Sequence, residues 1–241
     1  MALENFDPDA AGDGARRLSE KPGARSNRRS AIIFEQLQRD IVLGDLAPNE
    51  TILELELAQR FACSQSTIRE ALLQLQEEGL VHRMAHRGTH VADCRGDDAR
   101  ELILVRHDIE CRGVTRVMER YDLRLKRKLT AEIEAMQSAA GDGDEYLLSL
   151  HDRSFHLQLY EAADLPSIRP ILRRCLIHNH RYKILNSEPN RALRETADRH
   201  LAIIEALDSG DTAKAVEALS HHITTIVDLG PHIVAKPGAP A

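Results

Sequence analysis

The chain contains no tryptophan, and only 3% of its 241 residues are aromatic. A core must therefore be assembled from Leu, Ile, Val and Ala, a palette that suits packed helices better than a β-sandwich. Its four cysteines, Cys63, Cys94, Cys111 and Cys175, are scattered with no CxxC spacing. That spacing excludes a disulfide framework and a zinc ribbon, and reads as reduced thiols. No apolar run approaches a membrane span, and the first residues show no apolar signal-peptide core. These absences point to a cytoplasmic protein without membrane contact.

A positive net charge is also missing. The formal charge is −6, which by itself argues against a nucleic-acid partner, but the mean hides a local excess. Between Ala15 and Arg39 seven basic residues (Arg16, Arg17, Lys21, Arg25, Arg28, Arg29, Arg39) face two acids (Glu20, Glu35), a net of +5. Apolar residues supply 42% of the chain and charged ones 29%, the balance of an ordinary globular protein.

Residues 1–27 and 233–241 are rich in Gly, Pro and polar residues without periodicity, and read as a disordered arm and a flexible tail. From Ser30 the pattern is helical, with Ile33, Leu37, Ile41 and Val42 on one stripe until Gly44. A turn at 47–50 precedes two short helices, Glu54 to Phe61 and Ser64 to Glu78, with Ser64 as the N-cap of the second. Leu80 to Ala92 reads as a hairpin with its tip at His86, Arg87 and Gly88. The remainder reads as helices over 97–121, 125–139, 144–163, 168–187, 190–208 and 211–229, separated by Gly- and Pro-containing breaks. The fold class is thus mostly α: a winged helix-turn-helix over 28–95, then an all-α bundle over 97–232.

In such a motif the second short helix enters the DNA major groove by its N-terminal residues. Here these are Ser64, Gln65, Ser66, Thr67 and Arg69, side chains suited to phosphates and base edges. On spacing alone, a polar helix start with ordinary caps fits equally well. The segment from about Ala31 to Asp93 resembles the winged helix of the GntR family along its whole length. The resemblance is carried by Leu57 and Ala58, Arg69 to Leu72, Leu75, Glu78 to Val81, Arg87 to Thr89 and Val91. It implies DNA contacts at Ser64, Gln65, Ser66, Thr67, Arg69 and, on the wing, His86, Arg87 and Gly88. Three positions depart from the family pattern. Asn49 stands for a usual Gly, Cys63 for a small aliphatic residue, and Gln65 for a usual Arg. Since Gln pairs best with adenine and Arg with guanine, the last departure shifts the expected operator.

The bundle carries polar residues where its helical stripes call for apolar ones. Asp152 lies between Leu148 and Phe155 with His156 one turn on, His200 between Ala197 and Ile204, and His222 between Leu219 and Ile226. A buried carboxylate needs a partner, and a metal ion is one. Taken singly, each His reads more readily as a hydrogen-bonded core residue, and Asp152 with His156 as a helix ion pair. The segment from Asp98 to about Leu229 is similar to the ligand-sensing FCD domain of the FadR subfamily. Asp152, Phe155 and His156 match its D-x-x-F-H, and His200 and His222 its two later histidines; Leu165 and Arg199 depart from it. The resemblance implies a divalent ion at Asp152, His156, His200 and His222, zinc first and nickel or manganese as alternatives. It implies that open coordination positions take the carboxylate of a small organic acid. Arg106 matches an arginine that faces the ligand, while its spacing also suits a surface pair with Glu110.

The expectation is a homodimeric, ligand-responsive repressor on a palindromic operator, and not an enzyme. Two rivals are a metal-free regulator sensing a larger acyl ligand and, through the His3Asp set, a metal-dependent hydrolase.

Overall fold

The computed structural model describes residues 22–84, 88–186 and 192–225. The first helix, α1 (Pro22–Leu43), begins at a proline, a residue suited to the first helical turn because its missing N–H would have no partner there. It therefore starts inside the stretch expected as an arm, six residues ahead of the expected domain boundary. Ile33, Leu37, Ile41 and Val42 are buried on one side of it.

Asn49 then adopts φ 67°, the left-handed conformation that its short amide tolerates. Its backbone N–H donates to Val91 and brings in strand β1 (Thr51–Ile52), which is too short for any periodicity to reveal. Helices α2 (Glu54–Arg60) and α3 (Gln65–Glu77) follow. Ser64 caps α3 as its spacing predicts, accepting from the Thr67 N–H at 3.3 Å. Ile68, Ala71, Leu72 and Leu75 bury the inner face of α3, each large aliphatic side chain contributing about 1.5–3 kcal/mol. The wing is the hairpin β2 (Val81–Met84) and β3 (Gly88–Val91). It pairs as an antiparallel sheet in the order β1-β3-β2. His86 and Arg87 lie outside the described residues.

The C-terminal half contains α4 (Gly96–Met118), α5 (Leu123–Gly141), α6 (Glu145–Glu161), α7 (Arg169–Asn186), α8 (Leu193–Asp198), α9 (Leu201–Asp208) and α10 (Thr212–Thr224). Among the described residues no helix is long and apolar enough to cross a membrane. The single helix expected over 190–208 is two. The His200 N–H bonds the Ala197 carbonyl and the Ile204 N–H bonds the His200 carbonyl, so the chain turns at Arg199 and His200 between α8 and α9. No Gly or Pro marks this break. Tertiary packing makes it, and the turn leaves His200 fully buried.

The sequence boundary near residue 95 is not a packing boundary. Tyr146 of α6 and Ile177 of α7 belong to the same apolar cluster as α1, α3 and the wing. Within the bundle, α4 and α6 approach closely at Gly113, where an added methyl group would overlap the buried Tyr160 ring. Gly113→Ala is expected to cost about 1–3 kcal/mol through overpacking. A urea titration measures it; a midpoint within error of the parent would show that the two helices part without strain.

Candidate functional sites

The first site is the exposed end of α3. Ser64, Gln65, Ser66 and Arg69 are exposed together, whereas Thr67 is 6% exposed. Its hydroxyl lies 2.9 Å from the Ser64 hydroxyl, so it serves the helix cap rather than the open face. The turn feeding α3 is strained, with Ala62 at φ 47°. Arg29 of α1 spans that turn, donating to the carbonyls of Phe61 at 3.0 Å and Ala62 at 2.6 Å. Arg69 does not project freely. Its Nε donates to Glu54 at 2.7 Å and its Nη2 to Gln65 at 3.3 Å. The other Glu54 oxygen accepts from Arg83 of the wing at 2.7 Å, so one carboxylate joins α2, α3 and β2. Glu54 and Arg83 gave no signal in the sequence, because an acid in a first helical turn reads as a dipole partner. Gly88 is exposed at the start of β3.

The second site lies inside the bundle. Asp152, His156, His200 and His222 are all buried, each with a ligand atom within 4.8 Å of the others. Asp152 Oδ2 is 3.4 Å from His200 Nε2, and Oδ1 is 3.8 Å from His156 Nε2. His156 Nε2 is 3.2 Å from His222 Nε2. Phe155 packs edge-on against the rings of His156 and His200, at 5.3 and 4.9 Å between centroids.

Two further residues complete the cluster. Glu110 of α4 accepts from His156 Nδ1 at 2.5 Å and from Arg106 Nε at 2.5 Å. His180 of α7 holds Asp152 Oδ1 at 2.9 Å. Both lie on readable stripes. The buried face of α4 runs Ile103, Arg106, Glu110, Gly113, Val114, Val117, rotated from the expected stripe of Leu102, Arg106, Ile109 and Gly113. On α7, Leu172, Cys175, Leu176, Asn179 and His180 are buried at helical spacing. Arg106 is thus paired with Glu110 as its spacing allows, but it is 1% exposed rather than on the surface, and its Nη2 has no hydrogen-bond partner.

The donor set fits a small divalent cation. With Nδ1 of His156 donating to Glu110, and Nδ1 of His200 to the Ala197 carbonyl at 3.2 Å, both Nε2 atoms present lone pairs to the cluster. His200 Nε2 and His222 Nδ1 are buried without partners. Tetrahedral bonds of about 2.0–2.1 Å to nitrogen set ligand edges of about 3.3 Å; two of the separations, 3.2 and 3.4 Å, match this, and the ligand atoms of the set all lie within 4.8 Å of one another. The Glu110–His156 contact is the kind of outer-shell hydrogen bond that would fix His156 as a metal ligand.

Electrostatics keeps the ring nitrogens available. Burial, reinforced by the neighbouring His200 and His156, holds His222 well below its usual range. Burial lowers His180 to about 4, against the upward pull of Asp152. Burial pushes the Asp152 carboxyl up, but His180 and His200 together outweigh it and leave it well below the usual carboxylate range. Glu110, likewise raised by burial, is brought to about 2 by His156 and Arg106.

The signs agree. A histidine that stays neutral down to about 4 when folded, but takes a proton near 6.5 when unfolded, lowers stability as pH falls through that window. Glu110, ionised down to about 2 when folded against 4.5 unfolded, lowers it further below 4.5. Metal-stripped protein is therefore expected to melt at falling temperature from pH 6.5 to 4, with a shallower fall for His180→Asn. A melting curve flat across that range would remove the buried neutral His180.

Residues 29–91 match the family described as bacterial regulatory proteins, gntR family, and residues 101–225 match the FCD domain. The chain is 28% identical over 202 residues to the HTH-type transcriptional repressor RspR of Escherichia coli K12, covering 80% of this chain and 85% of that one. It is 27% identical over 207 residues to the probable D-xylose utilization operon transcriptional repressor of Paenarthrobacter nicotinovorans, covering 86% and 88%. In fold it is similar to McbR/YncC of E. coli, with TM-score 0.69 at 19% identity over 81% of this chain and 93% of that one. The first of these relatives is named a transcriptional repressor and the second a probable one. The chain is a transcription regulator of the GntR family, built from a winged helix-turn-helix followed by an FCD domain.

Proposed function

We propose that this regulator is a homodimeric repressor that holds one divalent ion per chain, zinc first, and releases or engages a palindromic operator in response to a small organic acid. The observation that carries the sensor reading is the convergence of Asp152, His156, His200 and His222 in the core. Arg106 and Glu110 offset each other's charge, which leaves Asp152 as the unbalanced carboxylate. A dication there leaves one positive charge over, and that charge suits one effector carboxylate. When bound, the ion supplies Lewis-acid coordination for that carboxylate. Arg106, with its unpaired Nη2, is the second anchor.

On the operator, the proposed contacts are Ser64, Gln65, Ser66 and Arg69 of α3 with His86, Arg87 and Gly88 of the wing. Thr67 holds the cap beneath them. Half-sites about one helical turn apart then face the two α3 helices of the dimer.

Arg69→Ala should leave folding intact and weaken operator affinity about thirtyfold or more, since each good base contact is worth about 1–3 kcal/mol and a dimer loses it twice. A gel-shift titration at fixed salt checks this, and unchanged affinity would remove the docking. His200→Ala or His222→Ala should take the metal content from one ion per chain to near zero, lower the melting temperature and abolish the effector response while operator binding survives. Elemental analysis of untagged protein, with melts in chelator, makes the measurement. Metal-free parent protein with a chelator-insensitive melt would favour a metal-free cavity for a larger acyl ligand.

A further inference from the structure

A cleft of about 180 Å³ lies between α6 and α7, with Gln38 of α1 at one end. Its polar wall is Gln38, Arg153, Ser154, Gln158, Arg169 and Arg173, and the rest is aliphatic. Three guanidinium groups therefore line it, and no carboxylate does. Arg153 is the anomaly. It is 5% exposed, and among the described residues it forms no direct ion pair, although burial disfavours its charge more than the nearby Tyr146, Asp152 and Glu78 favour it. Its Nη1 donates to Ser149 at 3.0 Å, its guanidinium lies 5.7 Å from the Tyr146 ring centroid, and its Nη2 is buried without a hydrogen-bond partner. A buried, always-charged group with an unmade hydrogen bond is costly unless an anion completes it. Arg169 is exposed at the first residue of α7. Arg173 has one partner, Glu78, at 2.6 Å. Glu132, behind Ser154 and Gln158, accepts from both and does not line the cleft.

We propose that this cleft is a second ligand site, separate from the metal cluster, for a small phosphate monoester. Three planar forks match the three free oxygens of a phosphate, whereas one carboxylate saturates on one or two. The volume exceeds what a bare oxyanion fills, a single water occupying about 30 Å³, so it leaves room for a short esterified body beside Gln38 and Gln158. Occupancy reaches the recognition helix. Glu78 follows the last residue of α3, and Arg173, Gln38 at 2.6 Å and His178 at 2.9 Å all bind it. A phosphate that draws on Arg173 competes with Glu78 for it.

The test is the melting temperature of the full chain at constant ionic strength with inorganic phosphate, glycerol 3-phosphate, succinate or chloride. Phosphate and glycerol 3-phosphate should raise it by about 2–5 °C at tenfold excess over their dissociation constants, with no shift for chloride, and any shift by succinate, a small acid suited to the Asp152 cluster, should survive in Arg169→Gln and be lost in His222→Ala. Arg153→Gln and the exposed Arg169→Gln should each lose the phosphate shift; the second substitution keeps the test valid if the first does not fold. Arg69→Ala and His222→Ala should keep it, which separates this cleft from the DNA face and from anion binding at a metal. Equal phosphate shifts in the parent and Arg169→Gln, a phosphate shift lost in Arg69→Ala or His222→Ala, or no shift with either phosphate would overturn the proposal.

Discussion

One buried carboxylate governs the C-terminal half. Asp152 is 3% exposed, and an unpartnered charge at that depth would favour protonation or unfolding. Imidazoles from three other helical segments meet it: His180 from α7, His200 from the turn between α8 and α9, and His222 from α10, with His156 from its own helix. The break at Arg199 and His200 leaves His200 facing the cluster, buried at 0% exposure. The close approach of α4 at Gly113 belongs to the same constraint. It lets Glu110, one turn earlier, reach His156.

The constraint reaches the DNA-binding half through α7. His180 faces Asp152, while its neighbours face the other way. Asn179 donates to Ala99 at the start of α4, and Arg181, fully buried, donates to Ala92 and Asp93 in the connection after the wing. His178 and Arg173 hold Glu78 at the end of α3. A rigid helix with its two sides committed to the two halves of the chain is a physical link between them. The buried Arg181 makes the junction a fixed one, since moving it would strand a guanidinium away from the carbonyls that satisfy it.

What the sequence made legible follows from periodicity and chemistry together. The stripes of α3, α6 and α10 exposed Ile68, Leu72 and Leu75 as core, and Asp152, His156 and His222 as polar intruders, because a 3.6-residue repeat needs no tertiary information. His200 was found through the same repeat although its helix is broken there, since the turn preserves its inward direction. Glu110 and His180 were missed for different reasons. Glu110 reads equally as a solvated partner of Arg106 when the α4 stripe is drawn through Leu102 and Ile109 in place of Ile103 and Glu110. His180 stood among many histidines and had no motif to single it out. The strand Thr51–Ile52 exists only because Asn49 and Val91 bring it to the wing.

The net charge of −6 also finds a physical place. The proposed reading face contains an acid, Glu54, shared by Arg69 and Arg83. These pairs are partly exposed, so each contributes little to stability. Their consequence is geometric: a guanidinium held at both Nε and Nη2 loses less freedom when it meets a base edge. Glu54 also cancels charge that would otherwise bind any phosphate backbone, the term that sets sequence-independent affinity. Among the described residues of that proposed face, Arg69 and Arg83 are held by Glu54, an arrangement that would trade general attraction to DNA for oriented contact. An overall acidic chain is compatible with operator binding, because base contacts, such as those proposed for Arg69 and Gln65, depend on the placement of side chains and not on total charge.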